Sequence, residues 1–227
     1  MCIEKYNNVY GIIKMSQRSS TRRARRRNSG YTHKHIKRMY GGMTGYMNDT
    51  SAYDSKFALT YGEVTLDGVK QLANIFQRQH PIATYPVSRR VFYDLGSGIG
   101  KIVIMMASLV PSIISKGIEL VNERHNMAMT AYRNIKEQSI RSRVEFIHGS
   151  MLDRSLSDAA WIYVSNLCFS SEINVQLSEK LGKELQVHAL IVCSKPLDHP
   201  SLRLIGQTTL SQTWSAESEV YVYEKVL

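Results

Sequence analysis

The residues best placed to do chemistry in this chain are a run of glycines with an acid on either side. Asp94-Leu-Gly96-Ser97-Gly98-Ile-Gly100, followed by Lys101, puts three glycines at alternate positions between a β-rich run and an apolar helical run. Glycines let the backbone turn tightly and approach a ligand closely, while unpaired amides at a helix start face that ligand. Glu119 lies 19 residues beyond Gly100, at the close of the next β-rich run. A carboxylate there accepts hydrogen bonds from both hydroxyls of a ribose; the plainer alternative is an acid that caps the following helix. The spacing excludes two other nucleotide sites. A P-loop needs Ser or Thr after Gly100-Lys101, where Ile102 stands, and a dinucleotide loop has one more residue before its third glycine.

Two further strand ends carry polar residues. In His148-Gly149-Ser150-Met151, Met151 can pack on a purine ring and Ser150 can meet its polar edge, although Met at such a position also reads as core. In Val164-Ser165-Asn166-Leu-Cys168-Phe169, the polar pair Ser165 and Asn166 can accept hydrogen bonds from an amine and aim its lone pair, or simply form an Asn turn.

These residues need a scaffold, and the pattern supplies one. Thr65 caps a helix predicted over Leu66 to Gln79, where Leu66, Val69, Leu72, Ala73 and Phe76 recur at helical spacing. Strands are predicted at Val91–Leu95, Ile113–Ile118, Val144–Ile147, Trp161–Val164 and Leu190–Cys193. Helices are predicted from the glycine turn to about Val110, over Asn122–Gln138 and over Glu172–Leu185. Thr208–Thr213 and Val220–Val226 read as a terminal strand pair. Alternating strand and helix imply an α/β fold: a largely parallel sheet with helices on both faces, a C-terminal antiparallel pair, and ligands outside the carboxyl ends of the strands.

Composition separates the chain into parts. Of the net charge of +10, residues 1–50 carry +9, with Arg22, Arg23, Arg25, Arg26 and Arg27 packed together; the rest is nearly neutral. The expected organisation is a basic, flexible arm over 1–50, a helical and loop segment over 51–89, and the α/β domain that carries the glycine loop over 90–227. The arm suits contact with phosphate or acidic protein surfaces, a nuclear-import signal, or both. Three scattered cysteines fit neither a disulfide scaffold nor a zinc site and point to a reducing compartment. The longest apolar run, Ile102 to Val110, is far short of the roughly 18 residues of a membrane span, so a soluble intracellular protein without metal is expected.

The glycine loop, with its acid two residues before the first glycine, resembles the S-adenosylmethionine-binding loop of Rossmann-like class I methyltransferases. More of the chain, through most of residues 53–223, resembles the disruptor-of-telomeric-silencing family of non-SET histone lysine methyltransferases. Tyr61-Gly62-Glu63 is similar to that family's upstream element, with Tyr53 at an earlier loop tyrosine. Gly117-Ile-Glu119 resembles its ribose-binding strand end, Val164 to Phe169 its asparagine-phenylalanine segment, and Ser194-Lys195-Pro196 its fifth-strand exit. Trp214 and Tyr221 match the spacing of its channel aromatics. Departures include Ser165 for the first of two asparagines, Ser150 for an acid, Met151 for an aromatic, and an arginine-rich stretch N-terminal to the core.

The resemblance implies an enzyme that uses S-adenosylmethionine to methylate a lysine on the folded core of nucleosomal histone of the H-three type, in the nucleus. It implies cofactor contacts from Tyr61, Glu63, Asp94, Gly96, Ser97, Gly98, Gly100, Lys101, Glu119, Ser150, Met151 and Asn166. It also implies an amine channel from Tyr53, Tyr61, Trp214 and Tyr221, amine positioning by Ser165 or Asn166, and nucleosome contact by the five arginines. An RNA or other protein methyltransferase with the same fold, or a non-catalytic chromatin-binding relative, are the alternatives.

Overall fold

The computed structural model describes residues 30–45 and 62–227. The elements are α1 (His33–Tyr40), α2 (Leu66–Gln79), β1 (Val91–Leu95), α3 (Lys101–Leu109), β2 (Ile114–Glu119), α4 (Asn122–Arg133) and α5 (Gln138–Arg141). Then follow β3 (Val144–His148), β4 (Ala159–Val164), α6 (Ser171–Glu184), β5 (Leu190–Cys193), β6 (Leu202–Gln212) and β7 (Ser215–Lys225). The seven strands form one sheet in the order β3-β2-β1-β4-β5-β7-β6. The first five are parallel, and β7 and β6 are added antiparallel at one edge. This is the α/β, Rossmann-like arrangement that the alternation predicts.

The central parallel strands β1, β4 and β5 are buried along their length because both faces are covered. Trp161 and Tyr163 of β4 join Phe92 of β1 in a core beneath α2 and α3; Ile162 and Val164 join the opposite core, beneath α6. Trp161 stacks on Phe76 of α2 at a centroid distance of 5.0 Å and donates from Nε1 to the His80 carbonyl at 3.2 Å. Thr65 caps α2 as predicted, its hydroxyl accepting from the Gly68 amide at 3.1 Å.

Three differences from the sequence reading matter. The expected helix over Asn122–Gln138 stops at Arg133, and a separate turn of helix begins at Gln138. The terminal pair is a hairpin of two 11-residue strands closed through Thr213 and Trp214; its polar, solvent-facing positions disguise its length. The third concerns the arm expected to be flexible to residue 50. Residues 33–40 within it form α1, which is packed on the body. Ile36, Met39 and Tyr40 are buried, the Tyr31 amide donates to Ser108 Oγ at 3.0 Å, and Asn134 Nδ2 donates to the Met39 carbonyl at 3.0 Å. Its apolar residues at i, i+3 and i+4 were overshadowed by the charge around them. Met39→Ala should loosen this dock, reducing hydrogen-exchange protection across residues 33–40 by roughly 2 kcal/mol while β1 and β4 keep theirs. Unchanged exchange in α1 would show that its apolar side does not hold it.

Candidate active site

The carboxyl ends of the parallel strands and the tip of the hairpin surround a cleft of about 400 Å³, the size of a small-molecule cofactor site. β1 ends in Asp94 and Leu95, and the chain turns through Gly96, Gly98 and Gly100 with φ of 82°, 54° and 81° before α3 begins. The last glycine has a second reason to be one. A Cβ on Gly100 would fall 2.3 Å from the ring of Phe146 on β3, so neither the backbone nor the space admits another residue.

Glu119 closes β2, 5% exposed, and its carboxylate ties two elements together. One oxygen accepts from the Gly98 amide at 2.7 Å and the other from the Val121 amide at 2.8 Å. Each oxygen keeps acceptor capacity, which fits the two hydroxyls of a ribose. Burial pushes the Glu119 carboxyl upward, opposed by those amides and by the Arg124 guanidinium. Arg124 is itself buried and donates from Nε to the Gly45 carbonyl at 2.8 Å, tying the segment after α1 to this end of the site. Ser150 and Met151, the residues expected to meet a purine, line the cleft just beyond His148, which stands opposite Glu119 in register.

At the opposite end, Lys101 Nζ pairs with Glu63 Oε2 at 2.6 Å and lies 5.5 Å from the ring centroid of Tyr40. The Glu63 carbonyl accepts from the Thr213 amide at 2.8 Å, so the segment before α2 runs beside the hairpin tip. Trp214 lies across Gly62: a Cβ there would sit 1.9 Å from the indole, which explains the glycine in Tyr61-Gly62-Glu63. Trp214 and Leu167 are 48% and 45% exposed at the rim, and with Phe169 they make an apolar mouth.

Asp94 is 2% exposed, and its Oδ2 has no hydrogen-bond partner among the described residues. Burial, then the neighbouring Glu119 carboxylate, pushes its pKa up to about 8. Opposite it in register on β4 is Tyr163, a fully buried phenol near Ser165 and Ser194 whose hydroxyl makes no well-formed hydrogen bond among the described residues. Unpaired polar atoms against a cleft are the mark of a site that completes its hydrogen bonds with a ligand.

The predicted polar pair separates. Ser165 lines the cleft. Asn166, expected at cofactor and amine, faces inward instead: 0% exposed, it donates from Nδ2 to Asn174 Oδ1 at 2.7 Å and accepts at Oδ1 from the Ser194 and Lys195 amides at 2.9 and 2.8 Å. Its side-chain hydrogen bonds join the end of β4 to the exit of β5 and to Asn174 of α6. Tyr221, expected in the amine channel, also lies outside the cleft lining; it pairs with Cys193 across the sheet and its hydroxyl donates to Glu219 Oε2 at 2.9 Å. Strand alternation is the reason, since Val220 and Val222 take the face under α2 and α3 and Tyr221 takes the other. Ser97 lines the cleft with the other loop residues. Tyr53, Tyr61 and the five arginines from Arg22 to Arg27 lie outside the described residues.

Sequence reasoning passed over Tyr163, Gln212 and Arg124. The available signal for Gln212 was parity: it shares an alternating pattern with buried Leu210, so an amide stands where an apolar residue belongs.

Fold and site together define a Rossmann-like, S-adenosylmethionine-dependent methyltransferase. The family model for histone methylation protein DOT1 matches residues 43–224, and the chain belongs to that family. S-adenosylmethionine is its cofactor. A protein-lysine N-methyltransferase of Saccharolobus islandicus (strain REY15A) is 28% identical over 102 residues, covering 45% of this chain and 60% of that relative's length. Among solved structures, the glycopeptide N-methyltransferase MtfA complexed with S-adenosylmethionine superposes with a TM-score of 0.53 at 12% identity, covering 77% of this chain and 99% of that one. TrmN from Thermus thermophilus does so with a TM-score of 0.51 at 19% identity, covering 68% and 48%. These likenesses are to the fold.

Two outcomes follow from the site. Glu119→Ala removes the ribose acceptor and should weaken S-adenosylmethionine binding by about 30-fold or more, read by calorimetry against a native-like circular dichroism spectrum. The raised pKa of Asp94 favours its neutral form in the folded protein, so its contribution is fully present below the ordinary carboxylate range and is lost as pH rises toward about 8. The ligand-free protein should therefore melt at lower temperature as pH rises through that window, and Asp94→Asn should flatten the trend. Parallel pH profiles for the two proteins would contradict the burial of an unpaired carboxyl.

Proposed function

We propose that this protein transfers the methyl group of S-adenosylmethionine to a lysine on the folded surface of a nucleosomal core histone, of the H-three type, in the nucleus. The observation that carries the reading is membership of a family described by histone methylation, on a chain whose cofactor cleft opens through an apolar mouth. The Saccharolobus relative, a protein-lysine N-methyltransferase, supports lysine as the acceptor.

The bound cofactor supplies an electrophilic methyl on a sulfonium; what the chain must supply is a neutral amine in line with it. Free lysine has a pKa near 10.4, so at neutral pH nearly all of it is protonated. Leu167, Phe169 and Trp214 at the mouth receive the aliphatic stem and strip water from the head group, which favours loss of its proton to solvent. Ser165, facing the cleft from the end of β4, accepts an N–H of the neutral amine and turns its lone pair inward. Trp214 adds a π face for the cationic product.

The substrate proposal also draws on charge. Residues 1–50 hold +9, and the part of that stretch that is described, α1, exposes Lys34, Lys37 and Arg38 while its other side is anchored. Such a surface suits a polyanion such as nucleosomal DNA, and the Arg22 to Arg27 cluster adds positive charge in the same stretch of sequence.

The test is to incubate the protein with labelled S-adenosylmethionine and nucleosomes, free histones, histone peptides and total RNA, and to locate the label by mass spectrometry. Nucleosomes should be the best substrate, because a disc-surface lysine has its neighbours fixed only there. Neutralising the five arginines should cut nucleosome methylation several-fold and reduce its salt dependence, with cofactor affinity unchanged. Label on RNA, on a flexible histone tail, or equally on free peptide would refute the substrate.

A further inference from the structure

Gln212 ends β6 just inside the hairpin tip and is the feature of the cleft that the reading above leaves without work. Its side chain lines the cleft and is 4% exposed, and neither its Nε2 nor its Oε1 has a hydrogen-bond partner among the described residues. A primary amide shut away from water with both ends unpaired is costly; an apolar residue would fill the same space without that cost. The neighbouring groups show what the amide is for. Gln212 is bridged to Val64, one residue from Glu63, whose carboxylate holds Lys101 Nζ at 2.6 Å. This end of the cleft therefore presents an ammonium, a carboxylate and an amide together, while Glu119, Ser150 and Met151, the residues expected to hold the nucleoside, line the cleft elsewhere.

We propose that Gln212 holds the amino-acid end of S-adenosylmethionine, its amide N–H donating to the α-carboxylate and its amide oxygen accepting from the α-ammonium. The proposal rests on the cofactor site and not on the identity of the methyl acceptor. A group that can satisfy both ends of one amide must itself carry an acceptor and a donor side by side, and an α-amino-carboxylate does. The incoming lysine is the weaker fit. An amide N–H directed at the neutral amine would occupy the lone pair that has to attack the methyl, so a residue with two unpaired ends would oppose the reaction there. Lys101 and Glu63 extend the match, giving the zwitterion one partner of each sign from the helix start and from the segment before α2.

Two ligands separate this role from its alternatives: S-adenosylhomocysteine, which has the amino-acid tail, and 5′-methylthioadenosine, which lacks it. With the full chain, Gln212→Met, equal in length but without the amide, should bind S-adenosylhomocysteine about tenfold or more weakly and 5′-methylthioadenosine within about twofold of wild type. Gln212→Leu should repeat the pattern. The ligand-free melting temperature should hold or rise in both, because an unpaired buried amide has been removed; a fall would show that the amide is already satisfied within the fold, and would overturn the proposal. Equal affinity losses for the two ligands, or no loss for S-adenosylhomocysteine, would also overturn it, as would unchanged S-adenosylhomocysteine binding with a changed number of methyl groups transferred, which would move Gln212 to the amine. Wild-type protein that binds neither ligand would remove the cofactor site itself.

Discussion

The carboxylate of Glu119 is the interaction on which the rest of the site depends. It stands at the end of a parallel strand, away from water, and accepts from the glycine turn with one oxygen and from the start of α4 with the other. Burying a carboxylate costs several kcal/mol unless charge-assisted hydrogen bonds offset the loss of water. The two amides supply them, with Arg124 contributing positive charge nearby. The same bonds pull the glycine turn against β2 and so fix the height at which the cleft floor lies. Arg124 then passes the constraint outward, through Gly45, to the segment that follows α1.

Beyond this carboxylate the cleft holds polar atoms that the fold itself leaves unsatisfied. Asp94, Tyr163 and Gln212 lie along it with unpaired polar atoms, and Lys101 pairs with Glu63 at the far end. A folded protein tolerates such atoms where a ligand repays them. The apolar mouth at Leu167 and Trp214 has the opposite character, offering surface but few hydrogen bonds. One end of the cleft thus suits a charged, polar molecule held rigidly, and the mouth suits an alkyl chain that enters and leaves.

Much of this was legible in the sequence, for physical reasons. The glycine turn, Glu119 and the helix from Leu66 to Gln79 are local patterns, and each appears where its spacing puts it. What the sequence concealed depends on contacts between distant segments. Asn166 reads as a polar group at a strand end, but only the fold reveals that the exit of β5 and Asn174 of α6 lie beside it and take its side-chain hydrogen bonds. Tyr221 keeps family spacing from Trp214, yet strand parity turns it to the other face. The apolar side of α1 covers only Ile36, Met39 and Tyr40, too short a pattern to stand out among basic neighbours until the body it docks on is known. Gln212 was missed because its one local signal, parity with Leu210, is faint in a hairpin whose other positions are mostly polar.

The central claim is that a single buried carboxylate both shapes the glycine turn and receives the nucleoside. A crystal structure of the full chain with S-adenosylhomocysteine tests it directly. The account predicts both ribose hydroxyls within hydrogen-bond distance of Glu119 while the Gly98 and Val121 amides keep their bonds to it, with the amino-acid tail directed toward Lys101 and Gln212. A nucleoside bound away from Glu119, or a Glu119 side chain that abandons the Gly98 amide to reach the ribose, would contradict it.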